Sequence, residues 1–313
     1  MSLAIIFNGQ GAHYAGMGQD FAESFKDAAA IFEQTEEVTG YPVREWITKD
    51  LDALQQTQYA QVAITATSLA IFESIKEKLP AVTYMAGLSL GEYSALIASG
   101  MLGREDGFRL IKTRGALMTK HCQTLREDSD VVMEAVLKMP LTEIQSVLEE
   151  VYQSKDQVYL ANLNSSTQVT IAGPTESVDY FNELAREKGY KKMMPLKVEG
   201  PFHTPYMEPV CEPYREAISE FSFNEGEVPV ISNTTLAIHT PKEVKELLVR
   251  HLVEPVRWHE TIEYLVDQGV TKVIQIGPGK TLANLLKREA NAPETLVIDT
   301  VEDVEKIADF IGG

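Results

Sequence analysis

The pentapeptide Gly87-Leu88-Ser89-Leu90-Gly91 restricts this chain to a small set of folds. It lies between an apolar run over 82–88 and a run rich in small residues over 91–99. The pattern predicts a buried strand, a sharp turn and a helix, because only small residues beside the serine let the chain turn so tightly. Such a turn exposes the serine hydroxyl at a helix N-terminus, where free N–H groups favour negative charge. A packing turn with a chemically idle serine is the alternative interpretation.

Apolar strand-like runs recur along the chain and alternate with segments of helical spacing. The strand-like runs cover 3–7, 228–232, 272–276 and 296–299, and one helical segment covers 21–38. Strands that alternate with helices predict a parallel sheet covered on both faces. With the serine turn, this pattern predicts an α/β-hydrolase-like large domain.

The middle of the chain has a different order of elements. Strand, helix, strand, strand, helix and strand follow one another over about seventy residues, which is the order of a ferredoxin-like unit. We therefore expect a ferredoxin-like small domain inserted into the large one. The strands are predicted at 131–137, 158–162, 168–172 and 193–198, and the helices at 141–152 and 175–188. The predicted division is 1–126 and 197–313 for the large domain and 127–196 for the small one.

Composition and charge exclude several classes of function. The 44% hydrophobic content suffices for a large core, and the net charge of −18 makes nucleic acid an unfavourable partner. Cys122 and Cys211 form neither a zinc motif nor a disulfide framework, and the histidines lack metal-ligand spacing. The N-terminus lacks a signal-peptide pattern, and no run approaches the roughly 20 apolar residues of a membrane helix. We expect a cytoplasmic monomer without a metal site.

Several separated motifs occur in one order, and together they resemble the malonyl-CoA:acyl-carrier-protein transacylases. The resemblance covers nearly the whole chain. It implies two partners, malonyl-CoA and an acyl carrier protein, and no cofactor, since coenzyme A enters as substrate. The motifs are Gly9-Gln10-Gly11, Thr57-Gln58-Tyr59-Ala60-Gln61, the Ser89 pentapeptide, Arg114, Asn162-x-Asn164 with Gln168, Pro201-Phe202-His203, Ser232-Asn233-Thr234, Pro255-Val256-Arg257-Trp258 and Gly277-Pro278-Gly279.

The resemblance also implies roles for the residues of the reaction. Ser89 would be the nucleophile and His203 the general base that takes its proton. The backbone N–H groups of Gln10 and Leu90 would bind the oxyanion. A backbone carbonyl is thought to orient the histidine in this family, and its position here is His251. The alternative for Gln10 is an ordinary turn residue, and for His203 a surface or satisfied core histidine.

Four further residues are expected to bind substrate. Arg114 would hold the free carboxylate of malonate with two parallel hydrogen bonds, which selects malonyl over acetyl. Phe202 resembles the residue of malonyl-selecting members. Asn162 and Asn233 are candidate pocket residues. A surface arginine and turn-forming asparagines are the alternatives.

The chain departs from the family pattern at four positions. Leu88 stands where a histidine is usual, His251 where a glutamine is usual, Glu199 where a serine is frequent, and Gln275 where a glutamate is common. These departures suggest a divergent member, of a polyketide-like pathway rather than housekeeping fatty acid synthesis.

Two other functions compete with acyl transfer. A serine esterase or thioesterase predicts an acidic triad member between Ser89 and His203 and no carboxylate-binding arginine. A non-catalytic family member is the second alternative. Carrier docking is expected on a basic cluster of this acidic chain, or else these cations are ordinary solvated charges. The clusters are Lys188, Lys191 and Lys192, and Lys280, Lys287 and Arg288.

Overall fold

The computed structural model describes residues 2–155 and 157–312. The described residues form two sheets and thirteen α-helices. The strands are β1 (Leu3–Phe7), β2 (Tyr84–Gly87), β3 (Val131–Leu137), β4 (Tyr159–Ser165), β5 (Gln168–Pro174), β6 (Lys192–Pro195), β7 (Lys272–Ile276) and β8 (Glu294–Ile298). The helices are α1 (Gln19–Ser24), α2 (Lys26–Thr39), α3 (Val43–Lys49), α4 (Thr57–Ile75), α5 (Leu90–Ala98), α6 (Arg104–Asp128), α7 (Leu141–Tyr152), α8 (Thr175–Glu187), α9 (Glu208–Ser219), α10 (Val244–Arg250), α11 (Trp258–Asp267), α12 (Thr281–Leu286) and α13 (Lys306–Gly312).

The larger part of the protein is built on a parallel sheet of strand order β2-β1-β7-β8. Every residue of β1 is buried, as expected for a strand covered on both faces. The α/β fold class predicted from the sequence is confirmed. The predicted strand at 228–232 is reduced to isolated bridges, in which Val230 pairs with Met85 and Ile231 with Ile238.

The smaller part is an antiparallel sheet of order β4-β5-β3-β6 with α7 and α8 packed on it. This is the ferredoxin-like arrangement that the order of elements predicted. Its outer strand β4 is tied to the larger part, because the Leu163 N–H donates to the Val256 carbonyl at 2.8 Å. The division of the chain at 126/127 and 196/197 stays a prediction.

The helical segment predicted at 21–38 is interrupted. Phe25 is extended, with φ −127° and ψ 123°, and separates α1 from α2. Its side chain stacks on Phe21, with ring centroids 5.8 Å apart, so the two aromatic residues stay in contact across the break. None of the described helices combines the length and the apolar run needed to cross a bilayer.

Candidate active site

Ser89 lies at a sharp turn between β2 and α5. Its φ is 54° and its ψ −105°, a conformation that non-glycine residues rarely adopt. The flanking glycines are required by contact with other backbone atoms. A Cβ on Gly87 would lie 2.0 Å from the Gly91 carbonyl carbon, and one on Gly91 would lie 2.1 Å from the Phe7 carbonyl oxygen.

The loop after β1 lies beside this turn because the two strands are parallel neighbours. Phe7 is paired with Gly87, and the Leu88 N–H donates to the Phe7 carbonyl at 3.2 Å. Strand β7 flanks β1 on its other side and ends at Ile276, just before the Gly277-Pro278-Gly279 motif. Three of the motifs therefore meet at the carboxyl edge of one sheet, where sites of open α/β sheets form.

Ser89 and His203 are in hydrogen-bond contact, with 2.7 Å between Oγ and Nε2. The other ring nitrogen of His203, Nδ1, lies 2.6 Å from the carbonyl oxygen of His251. Since a carbonyl only accepts, Nδ1 carries the hydrogen, and Nε2 of the neutral ring is left to accept the serine proton. Burial first, and then the neighbouring His251 and the Arg114 guanidinium, hold the pKa of His203 well below 6.5. The ring is thus a neutral base in the ground state.

A carboxylate that the sequence reasoning did not identify lies behind this pair. Glu92 on α5 is fully buried, and its Oε1 accepts from His239 Nε2 at 2.6 Å. Its Oε2 is 2.9 Å from His251 Nδ1, within ion-pair distance but off the line of a hydrogen bond. Burial alone would raise the pKa of Glu92, but the two histidines together hold it far below its usual value. The sequence did carry a sign of it, because Glu92 is the one carboxylate in an otherwise apolar helix. A carboxylate that is buried must find partners.

Asn233, which was expected to bind substrate, is hydrogen-bonded to the serine turn. The side chain is fully buried, its Oδ1 accepts from the Ser89 N–H at 2.8 Å, and its Nδ2 donates to the Gly87 carbonyl at 2.8 Å. The Asn233 N–H also donates to Glu92 Oε1 at 3.2 Å. With both ends of the amide bonded to the turn, Asn233 braces the Ser89 backbone, and its substrate role stays a prediction.

Gln10 and Leu90 offer backbone N–H groups that donate to no protein atom in the described ranges. The Gln10 side chain donates to Thr57 Oγ1 at 3.0 Å, which ties the loop after β1 to the start of α4. Leu90 is the first residue of α5, a position whose N–H has no partner within the helix. Both residues are on the two segments that meet at the carboxyl edge of the sheet.

Arg114 is not the surface arginine that the sequence left open. It is 1% exposed, and its Nε and Nη2 have no hydrogen-bond partner. The guanidinium stacks over the Tyr93 ring at 5.0 Å, and no carboxylate in the described chain is paired with it. A buried guanidinium without an anion is costly unless a ligand supplies one.

Phe202 and Asn162 occupy different surroundings. Phe202 is 7% exposed and belongs to the main hydrophobic core directly beside His203 in sequence. Asn162 lies on β4 at an irregularity of register, where its backbone bridges to Val256. The described contacts do not bring the Asn162 side chain to Ser89 or His203, and its substrate role stays a prediction.

Two of the departures from the family pattern have structural partners. The Glu199 carboxylate accepts from the Thr57 N–H at the start of α4 and from Thr119 Oγ1 at 3.0 Å. Gln275 donates to the Gly279 carbonyl at 2.7 Å and accepts from the Ala283 N–H at 2.8 Å. Each side chain therefore stabilises a segment next to the site.

A serine on a strand-to-helix turn, beside a histidine and on a parallel sheet covered by helices, defines the class of α/β proteins built around a nucleophile elbow. Residues 4–308 match the acyl transferase domain family, and the chain belongs to that family. It is an acyltransferase by class.

Curated relatives and solved structures resemble the chain over nearly its full length. The malonyl CoA-acyl carrier protein transacylase of Bacillus subtilis strain 168 is 35% identical over 97% of this chain and 95% of its own. That of Staphylococcus aureus strain MW2 is 33% identical over 96% and 97%. The MCAT structure from Streptococcus pneumoniae has a TM-score of 0.92 at 36% identity, covering 98% of this chain and 99% of that one. PlMCAT, a malonyl-transacylase in complex with the type II PKS acyl-carrier protein AntF, has a TM-score of 0.92 at 30% identity and full coverage of both chains.

Proposed function

We propose that this protein transfers a malonyl group from malonyl-CoA to the phosphopantetheine thiol of an acyl carrier protein. One observation carries the choice of acyl group. Arg114 is a buried guanidinium with which no carboxylate of the described chain is paired. Malonyl offers a free carboxylate at the end opposite its thioester. The names of the relatives favour the same substrate.

The first half-reaction would form a malonyl-serine ester. His203 Nε2 takes the hydroxyl proton as Ser89 Oγ attacks the thioester carbonyl, and the resulting oxyanion accepts from the free N–H groups of Gln10 and Leu90. Collapse of the tetrahedral intermediate breaks the C–S bond. His203 returns the proton to the coenzyme A thiolate, which leaves as the thiol.

The second half-reaction would run the same steps with the carrier thiol as nucleophile. His203 takes the thiol proton, the carrier sulfur attacks the ester carbonyl, and Ser89 leaves with the proton returned to its oxygen. This is a ping-pong sequence, because coenzyme A departs before the carrier reacts. Each step moves only the acyl group and one proton, so the residues in contact at Ser89 supply all the proton transfers required.

Transfer is favoured over hydrolysis by the partner of His203. Its Nδ1 is held by a neutral carbonyl at 2.6 Å, and the closest acid of the network, Glu92, acts through His251. A neutral partner stabilises the imidazolium less than a direct carboxylate would, which makes His203 a weaker base toward water. An acid introduced near His203 that left hydrolysis of the acyl-serine unchanged would contradict this reasoning.

The carrier would dock on exposed cations, since the chain has a net charge of −18 and carriers of this kind are acidic. Lys280 directly follows Gly279, and the loop at Gly279 is bound to Asn8 beside the oxyanion loop. We therefore favour the cluster of Lys280, Lys287 and Arg288 over that of Lys188, Lys191 and Lys192. Lys280→Glu should raise the KM for carrier, while Lys188→Glu should not. A monomeric state and a role in fatty acid or polyketide synthesis complete the proposal.

Mass spectrometry of the intact protein after incubation with malonyl-CoA tests the proposal. We expect a malonyl adduct on the wild type, none on Ser89→Ala, and a normal adduct on Ser74→Ala, which removes a serine of α4. Added carrier should discharge the adduct. Rapid release of malonate without carrier would instead indicate a thioesterase, and no adduct at all would indicate a non-catalytic member.

A further inference from the structure

A buried group of three ionisable side chains lies behind the Ser89–His203 pair. We call Glu92, His239 and His251 the Glu92 cluster. Each member is at most 2% exposed, and the carboxylate lies between the two imidazoles at 2.6 and 2.9 Å. Although two histidines and an acid could ligate a metal by composition, no group of three or more such residues in the described chain is arranged to hold one. The cluster needs another explanation.

His251 contacts the base in two ways. Its carbonyl oxygen is 2.6 Å from His203 Nδ1, and its imidazole stacks on that of His203 with 4.7 Å between ring centroids and 29° between planes. The Glu92 carboxylate in turn lies 2.9 Å from Nδ1 of the His251 imidazole. A glutamine at position 251 could provide the carbonyl equally well, so the imidazole adds something that the main-chain contact does not require.

The charged groups around the stacked rings of His203 and His251 indicate what the His251 imidazole contributes. The titratable or charged groups that bear on it are Glu92, His239, Arg114 and the hydrogen-bonded pair Tyr93–Tyr214. Glu92 is ionised, because its pKa is held far below the usual range. The Glu92 carboxylate lies against His251, whereas a proton on His203 would be buried beside a stacked imidazole and near Arg114, with no carboxylate of the described chain paired to the ring.

We infer that His251, held by Glu92, is a positioning residue that keeps the ring of His203 free of a proton and aimed at Ser89. The inference adds a side-chain role to a residue whose carbonyl alone is needed for orientation. The test by the pH dependence of acylation rests on the proposed function, whereas the test by NMR titration of His203 does not.

The test replaces His251 by glutamine and follows the rate of serine acylation by malonyl-CoA against pH. We expect His251→Gln to move the acid limb of kcat/KM upward by about one pH unit, since the imidazole that stacks on His203 and disfavours its protonated form has been removed. His239→Gln is the matched control. It also loses an imidazole that contacts Glu92, but the described contacts of His203 are with Ser89 and His251, and His239 neither bonds to nor stacks on that ring. Its acid limb should stay at the wild-type pH.

NMR titration of isotopically labelled histidine provides the second readout and requires no turnover. The His203 signal, assigned with a His203→Asn variant, should titrate at higher pH in His251→Gln than in the wild type and unchanged in His239→Gln. An unshifted His203 titration in a folded His251→Gln variant would overturn the inference, and so would an equal shift in both variants. Failure of acylation with the expected NMR shift would count against the proposed function alone.

Discussion

Ser89 and His203 meet at 2.7 Å with both backbones in the left-handed region, at φ 54° and 61°. A non-glycine residue in this region costs about 1–3 kcal/mol and persists only where its surroundings dictate it. For Ser89 those surroundings include the Asn233 amide, which accepts from the Ser89 N–H, and the close contacts of the two flanking glycines. The geometry of the pair thus depends on residues that do not react.

Gly91→Ala should distort the serine turn. The new Cβ would lie 2.1 Å from the Phe7 carbonyl oxygen, a backbone atom held in the central sheet, so the chain must move. We expect a loss of about 3 kcal/mol or more in the free energy of unfolding and a loss of acylation. Gly103→Ala is the control, because its nearest atom is 4.0 Å away, and it should cost no more than about 1 kcal/mol. Urea unfolding measures both, and equal losses would contradict the steric argument.

Asn233→Ala should remove the two hydrogen bonds that join the Asn233 side chain to the serine turn. The substitution leaves the Ser89 N–H and the Gly87 carbonyl without their partner in a buried environment. Each unsatisfied group costs about 1–3 kcal/mol, so we expect a loss of about 2–5 kcal/mol in stability. Acylation should fall further than substrate affinity, since the contacts of Asn233 are with the backbone that positions the nucleophile. A normal kcat with a raised KM in this variant would instead support the prediction that Asn233 binds substrate.

Arg114→Met should reduce the preference for malonyl-CoA over acetyl-CoA without lowering the stability of the fold. Methionine keeps most of the side-chain volume of arginine and removes a buried charge with which no carboxylate of the described chain is paired. The free energy of unfolding should therefore not fall. Acylation by malonyl-CoA should fall by about 100-fold relative to acetyl-CoA, because charge-assisted hydrogen bonds to the carboxylate are lost. Arg109→Met on the same helix removes an arginine that is already paired with Glu105 and Asp106. It should leave the malonyl preference intact.

Acid should destabilise the protein in two pH windows. The pKa of His203 is lowered in the folded state, so the unfolded state takes up its proton first and stability falls as pH drops below 6.5. The pKa of Glu92 is also lowered from 4.5, so its contribution is present above that pH and is lost below it. Urea unfolding between pH 3 and 7 should show a shallower decline below about pH 4.5 in Glu92→Gln than in the wild type. Glu105→Gln, which changes an exposed acid, should follow the wild-type curve.

The local sequence was a good guide where short-range sterics decide the structure. The strand, turn and helix around Ser89 follow from small residues at positions 87 and 91 between apolar segments, and all three elements are present. The ferredoxin-like order is present too, because its turns and periodicity are encoded within about seventy residues. The helix predicted over 21–38 is interrupted at Phe25, whose extended backbone the helical spacing of the sequence did not reveal.

Glu92 and His239 could not be paired by inspection, since they are 147 positions apart and only the fold brings them to 2.6 Å. The same holds for Asn233, whose amide the fold brings to the serine turn.

The sequence by itself determined which elements form and which residue types can carry acyl transfer, because backbone conformation and side-chain chemistry are local properties. Only the tertiary structure decided that Ser89 contacts His203 across 114 positions, that the His251 carbonyl lies 2.6 Å from the other ring nitrogen of this base, and that no carboxylate of the described chain is paired with the buried Arg114. Those facts depend on distance and exclusion of water, and both arise when the parallel sheet and its helices pack.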